Sequence, residues 1–131
     1  MWAATGRRGG YLFSVEPCTE SKALEILSDP SVAKHLSFKP EGFKDSWLYL
    51  IDSRCLIVGI ERGESIEVHM ACKYRDRANL RDYLKRMVIF FRVVGFKEIF
   101  TIASDERKAL VAMIKSLGFQ KDNDRWVYRW A

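Results

Sequence analysis

Histidine is scarce, with only His35 and His69 in 131 residues. Neither has a second soft ligand at metal-site spacing, so no metal centre is expected. The three cysteines, Cys18, Cys55 and Cys72, stand far apart with no CxxC pair, and their odd number leaves at least one unpaired in any intrachain scheme. That usage suits a reducing compartment, and a cytoplasmic location is expected. Cys55 and Cys72 fall inside apolar, strand-like runs, where a free thiol acts as a small core residue. No window approaches the roughly 20 apolar residues of a membrane span. The opening MWAATGRRGG lacks the apolar stretch of a signal peptide. Residues 1–10 are expected to be a flexible lead-in and residues 11–131 a single domain, and there are no internal repeats or low-complexity segments.

Hydrophobic residues make up 48% of the chain and charged residues 30%, which excludes a largely disordered chain and allows a real core at this length. The net charge is +5 and the isoelectric point about 9.2. An anionic partner is therefore favoured: a nucleotide-bearing cofactor, a nucleic acid or an acidic protein surface. Charge alone does not choose among them.

Periodicity divides the chain into elements. Residues 11–16 alternate as a strand, and Ala23, Leu24 and Leu27 recur at helical spacing over 19–28. Asp29-Pro30 reads as an N-cap and first residue of a short helix running to about Leu36. WLYLID and CLIVGIE, parted by Ser53-Arg54, predict a hairpin. After the turn Arg62-Gly63-Glu64, SIEVHMACK alternates, with Ile66, Val68, Met70 and Cys72 on one face and Glu67, His69, Ala71 and Lys73 on the other. From Ala78 to Val94 the positions Leu80, Tyr83, Leu84, Met87, Val88, Phe91 and Val94 form a helical stripe, closed by Gly95. A strand at EIFTIA follows. Ser104-Asp105-Glu106 reads as the start of a helix carrying Leu110, Met113, Ile114 and Leu117, ended by Gly118-Phe119, and RWVYRW predicts a last strand beyond the Asp122-Asn123-Asp124 turn.

The expected order is β-α-α-β-β-β-α-β-α-β-β, an α/β (α+β) class with a mixed sheet of six to seven strands and about four helices. That order, with IEVHMACKYRDR before a long helix and a downstream helix ending in SLGF, resembles the GNAT (GCN5-related N-acetyltransferase) superfamily from Tyr11 to Trp130. It is similar in particular to small phage-encoded members, some of which carry an E-x-H strand. The resemblance implies acetyl-CoA as cofactor, its pyrophosphate held by a loop of pattern Q/R-x-x-G-x-G/A and the helix start behind it. The aligned residues are Arg75-Asp76-Arg77-Ala78-Asn79-Leu80. Arg75 matches the first position, whereas Ala78 and Leu80 replace the small ones and Asp76 adds a negative charge. The implied cofactor-binding set is Ala71, Cys72, Lys73, Arg75, Arg77, Ala78, Asn79, Leu80 and Arg81. Positions 77, 81 and 85 share one helical face, suited either to phosphates or to simple solvation. Binding of nucleic acid through the same cations has no recognised motif behind it.

Acyl transfer to an amine needs a base for the ammonium proton, a donor to polarise the thioester carbonyl and an acid for the departing thiolate. Glu67 and His69, two residues apart on one strand face, are the base candidates. Where the family often places a tyrosine acid, four residues before Gly118, this sequence has Ile114, and Arg107 stands where an asparagine is common. Tyr83, Tyr128 and Ser104 remain as acid candidates, with Tyr83 on the apolar stripe. Two function classes follow. One is a CoA-dependent N-acyltransferase of an unidentified amine. The other is a degenerate GNAT-fold module that binds protein or serves a phage virion or its assembly, with Trp2, Trp47 or Trp130 as an exposed partner patch.

Overall fold

The computed structural model describes residues 15–33, 46–104 and 106–130, and residues 74–76 in their backbone alone. The elements come in the order that periodicity predicts. They are β1 (Val15–Pro17), α1 (Glu20–Leu27), α2 (Pro30–Ala33), β2 (Trp47–Ile51), β3 (Cys55–Arg62) and β4 (Ser65–Ala71). Then follow α3 (Leu80–Val94), β5 (Glu98–Thr101), α4 (Lys108–Ser116), β6 (Gln120–Asp122) and β7 (Arg125–Arg129). One seven-stranded sheet results, in the order β1-β2-β3-β4-β5-β7-β6. Every neighbouring pair is antiparallel except β4 and β5, which run parallel and so need the long crossover that α3 supplies.

The alternation in β4 sends its side chains into two cores. Ile66 and Val68 join Tyr83, Leu84, Met87 and Phe91 of α3, together with Ile99 and Ile114. On the other face Ala71 joins Leu56 and Val58, covered by Ala23, Ile26 and Leu27 of α1 and Val32 of α2. The stripe on α3 packs on the core as its spacing predicts, with Leu80 and Val94 at its ends partly buried, and Phe90 is buried as well, its ring tilted against Tyr49 with centroids 4.9 Å apart. Gly59 allows this close seating. A Cβ there would stand 2.7 Å from Ile66 Cδ1 and 3.2 Å from Phe91 Cζ. At its far end α3 stops at Gly95 with φ 124°, where the Phe96 N–H donates to the Phe91 carbonyl at 3.2 Å.

Two helix starts differ from the sequence expectation. Residues Tyr74–Asn79, expected to run directly into the helix from Ala78, form a 3-10 turn, and α3 begins at Leu80. Ser104 does not cap α4. Its hydroxyl accepts from the Glu106 N–H at 3.2 Å and its carbonyl from the Arg107 N–H at 3.0 Å, closing a separate turn, so α4 starts at Lys108 with Arg107 at the cap position. The Asp29 cap does form, with Oδ1 accepting from the Ser31 N–H at 2.9 Å. The lead-in at 1–10, the start of the first strand at 11–14, and the stretch with His35 and the expected helix end at Leu36 lie outside the described residues, as do Trp2 and Asp105. Trp47 packs edge-on against Phe91 and Phe96 and donates through Nε1 to Glu61 at 2.7 Å, and Trp130 is half-buried beside Tyr128.

Candidate functional site

The parallel joint between β4 and β5 is short. Its register covers Ser65↔Glu98, Ile66↔Ile99 and Glu67↔Phe100, while β3 stays paired with β4 as far as Ala71. Beyond Glu67 the two strands part, and the edge of β4 from Val68 to Ala71 that faces β5 has no strand partner among the described residues. The gap opens into a cleft. One wall is His69, Met70, Ala71 and Cys72 of β4 and its end. The other is Thr101, Ile102 and Ala103 with Arg107, Leu110, Met113 and Ile114 of α4. Arg77, Leu80, Leu84 and Met87 close the α3 side, and Val32 reaches in from α2.

His69 is the polar centre of the first wall, only 6% exposed. Its Nε2 lies 2.7 Å from Glu67 Oε2, and the other carboxylate oxygen of Glu67 accepts from Arg62 Nε at 3.1 Å and Nη2 at 2.9 Å. Burial raises the Glu67 pKa, but the hydrogen bonds from His69 and Arg62 outweigh it and hold the carboxyl below its ordinary value. An ionised carboxylate can only accept. The hydrogen shared between them therefore sits on His69 Nε2, which donates to Glu67. Glu67 itself stands behind His69 rather than on the cleft wall. Arg62 gave no signal by spacing alone. The register does place it: Ile60 faces Glu67 across the hairpin, so Arg62, two residues on, shares that face.

Of the cofactor-binding candidates, Ala71, Cys72, Arg77 and Leu80 line the cleft. Arg77 donates from Nε to the Cys72 carbonyl at 3.3 Å and from Nη2 to the Ser31 carbonyl, which ties α2 to the end of β4. Lys73 is turned to Glu25 of α1 at 3.3 Å, and Arg81 donates to the Ser116 hydroxyl at the end of α4. Ala78 and Asn79 are exposed and off the cleft wall. For Arg75, as for Asp76, only the backbone within the 3-10 turn is described. Ile114, which stands where the resemblance implies a tyrosine acid, lines the cleft. Tyr83 is core, and neither Tyr128 nor Ser104 reaches the cleft wall.

Sequence reasoning passed over Arg107 as a site residue. Its half-buried guanidinium lines the cleft from the α4 side, and burial together with the charge of Arg77 lowers its pKa from the usual arginine value. Among the described residues no group of three or more histidine, cysteine, aspartate or glutamate side chains is placed to hold a metal ion. No helix there is long and apolar enough to cross a membrane.

No family model matches the chain, and no curated protein sequence does. Solved structures do match its fold. An acetyltransferase of the GNAT family from Bacillus anthracis superposes with TM-score 0.61 at 13% identity, covering 87% of this chain and 91% of its own. The IAA acetyltransferase from Bacillus cereus gives 0.65 at 14%, covering 88% and 98%. AAC(6')-Ib, in complex with Parmomycin and AcetylCoA, gives 0.66 at 10%, covering 88% and 92%. The chain has the GNAT fold: a seven-stranded mixed sheet with four described helices, split between its parallel central strands.

Proposed function

We propose that the protein is an acyl-CoA-dependent N-acyltransferase that passes an acetyl group to an amine. The observation that carries this reading is the split beyond Glu67↔Phe100, with a carboxylate-supported histidine on its wall. The residues present fit the donor. The β5-facing edge of β4 from Val68 to Ala71 offers main-chain groups to an extended amide-bearing arm, as an edge strand does to an added strand. On this reading Ala71, Cys72, Arg77 and the amides of the turn at 75–80 would hold the remainder, its phosphates at the start of α3.

Acetyl-CoA, when bound, supplies a reactive acyl thioester. His69 takes the proton of the acceptor ammonium, and Glu67 steadies the imidazolium that forms through Nε2. Arg62 keeps Glu67 ionised and fixed for that task. A strand amide of β4 polarises the acyl carbonyl. The α4 side chains on the cleft wall, Leu110, Met113 and Ile114, carry no hydroxyl, so the proton for a thiolate leaving there would come from water.

Calorimetry and thermal shift with millimolar acetyl-CoA test the reading, and binding with a raised melting temperature is expected. No heat and no shift would sink it for this donor. A second reading has one observation in its favour: Leu80, bulky where the loop pattern is small, lines the cleft. On that reading the fold persists as a protein-binding, virion or assembly module, and failure to bind acetyl-CoA would select it.

A further inference from the structure

Arginines in this molecule are mostly engaged. Arg62 grips Glu67, Arg77 the Cys72 and Ser31 carbonyls, Arg86 both Asp52 and Asp82, and Arg129 both Glu98 and Asp122. Arg107 differs. Its side chain has no hydrogen bond or ion pair among the described residues, although it is half-buried in the cleft wall. Withdrawing a guanidinium from water without an acceptor is unfavourable, and a second cation on the same cleft makes it more so. An anion entering the cleft would reverse both penalties. Around Arg107 the wall is apolar, with Ile102, Ala103, Leu110 and Met113, so few groups of the protein compete there for a bound anion. The start of α4, where Arg107 at the N-cap makes no side-chain capping hydrogen bond, adds its partial positive charge.

We propose that Arg107 is a carboxylate-recognising subsite, so that one of the two molecules joined there carries a carboxylate. The planar fork of a guanidinium matches a carboxylate in two parallel hydrogen bonds. Nucleotide phosphates have their own amides at the turn before α3, whereas Arg107 belongs to the wall of β5 and α4. The carboxylate has two sources: the far end of a dicarboxylic acyl group on the donor, or the acceptor amine. Assigning it to either rests on the acyltransferase reading. The anion site itself does not.

The test uses the full chain and its Arg107→Gln and Arg107→Lys variants. Succinate is titrated by calorimetry beside its neutral diamide. CoA, acetyl-CoA and succinyl-CoA are compared as ligands, and amino acids beside their amides as acceptors. Succinate is expected to bind the wild-type chain in preference to the diamide, with affinity reduced about tenfold or more in Arg107→Gln and partly restored in Arg107→Lys. Loss of a succinyl-CoA preference in Arg107→Gln assigns the carboxylate to the donor, and loss of a preference for amino acids over amides assigns it to the acceptor. Two results overturn the subsite: equal binding of succinate and diamide, or a loss in Arg107→Gln as large for CoA itself as for carboxylate-bearing ligands. Succinate binding that depends on Arg107 without any binding of acetyl-CoA would overturn the acyltransferase reading alone.

Discussion

The two walls of the cleft are built on opposite terms. Along β4 and the turn that follows it the polar groups already have partners inside the protein: His69 has Glu67, Glu67 has Arg62, and Arg77 has the carbonyls of Cys72 and Ser31. Along β5 and α4 the wall is apolar apart from Thr101 and Arg107, and Arg107 has no partner among the described residues. The first wall is preorganised, its charges satisfied before any ligand arrives, which is what proton transfer at a fixed atom requires. The second carries an unmet charge, which is what selection of a ligand requires.

The largest effect should come from the first wall. His69→Ala is expected to lower acetyl transfer by about 10²–10⁴-fold while acetyl-CoA binding by calorimetry changes little. Unchanged turnover would remove His69 as the base. The contrast between the arginines can be broken by denaturant unfolding. Arg77→Met leaves two carbonyls without their donor and should cost about 1–3 kcal/mol. Arg107→Gln should fall within about 0.5 kcal/mol of wild type, or above it, because it relieves a buried like charge. Similar losses at both positions would end the distinction.

A smaller effect concerns pH. The folded state holds Glu67 below its ordinary pKa, so its contribution to stability is fully present above the ordinary carboxylate range. It is lost as the pH falls through the lowered value of the folded protein. Unfolding curves taken at falling pH should therefore show a steeper decline for wild type than for Glu67→Gln. Parallel declines would mean that the carboxylate is not held as the geometry indicates.

The order of elements could be read in the sequence because each long element declares its period. The stripe from Leu80 to Val94 and the alternation through Glu67 and His69 each admit one placement. Burial of that polar pair could not be read, since it depends on Arg62 arriving from the neighbouring strand to satisfy the carboxylate. Arg107 escaped for a local reason. Ser104-Asp105-Glu106 has the composition of a helix start, and an early start would set Arg107 inside the helix. The turn closed by Ser104 delays the helix to Lys108 and leaves Arg107 at its mouth, facing the cleft. Likewise the turn at Tyr74–Asn79 cannot be told by composition from a first helical turn.

The three-pair seam between β4 and β5 is also a matter of assembly. On one side of it β2, β3 and β4 are linked by tight hairpins, and on the other β6 and β7 are too. These contacts are near in sequence and entail little loop-closure entropy, whereas the seam joins residues 33 apart through the whole of α3. The cleft exists in neither half alone. Whatever parts that seam abolishes the site while leaving the hairpins on both sides whole.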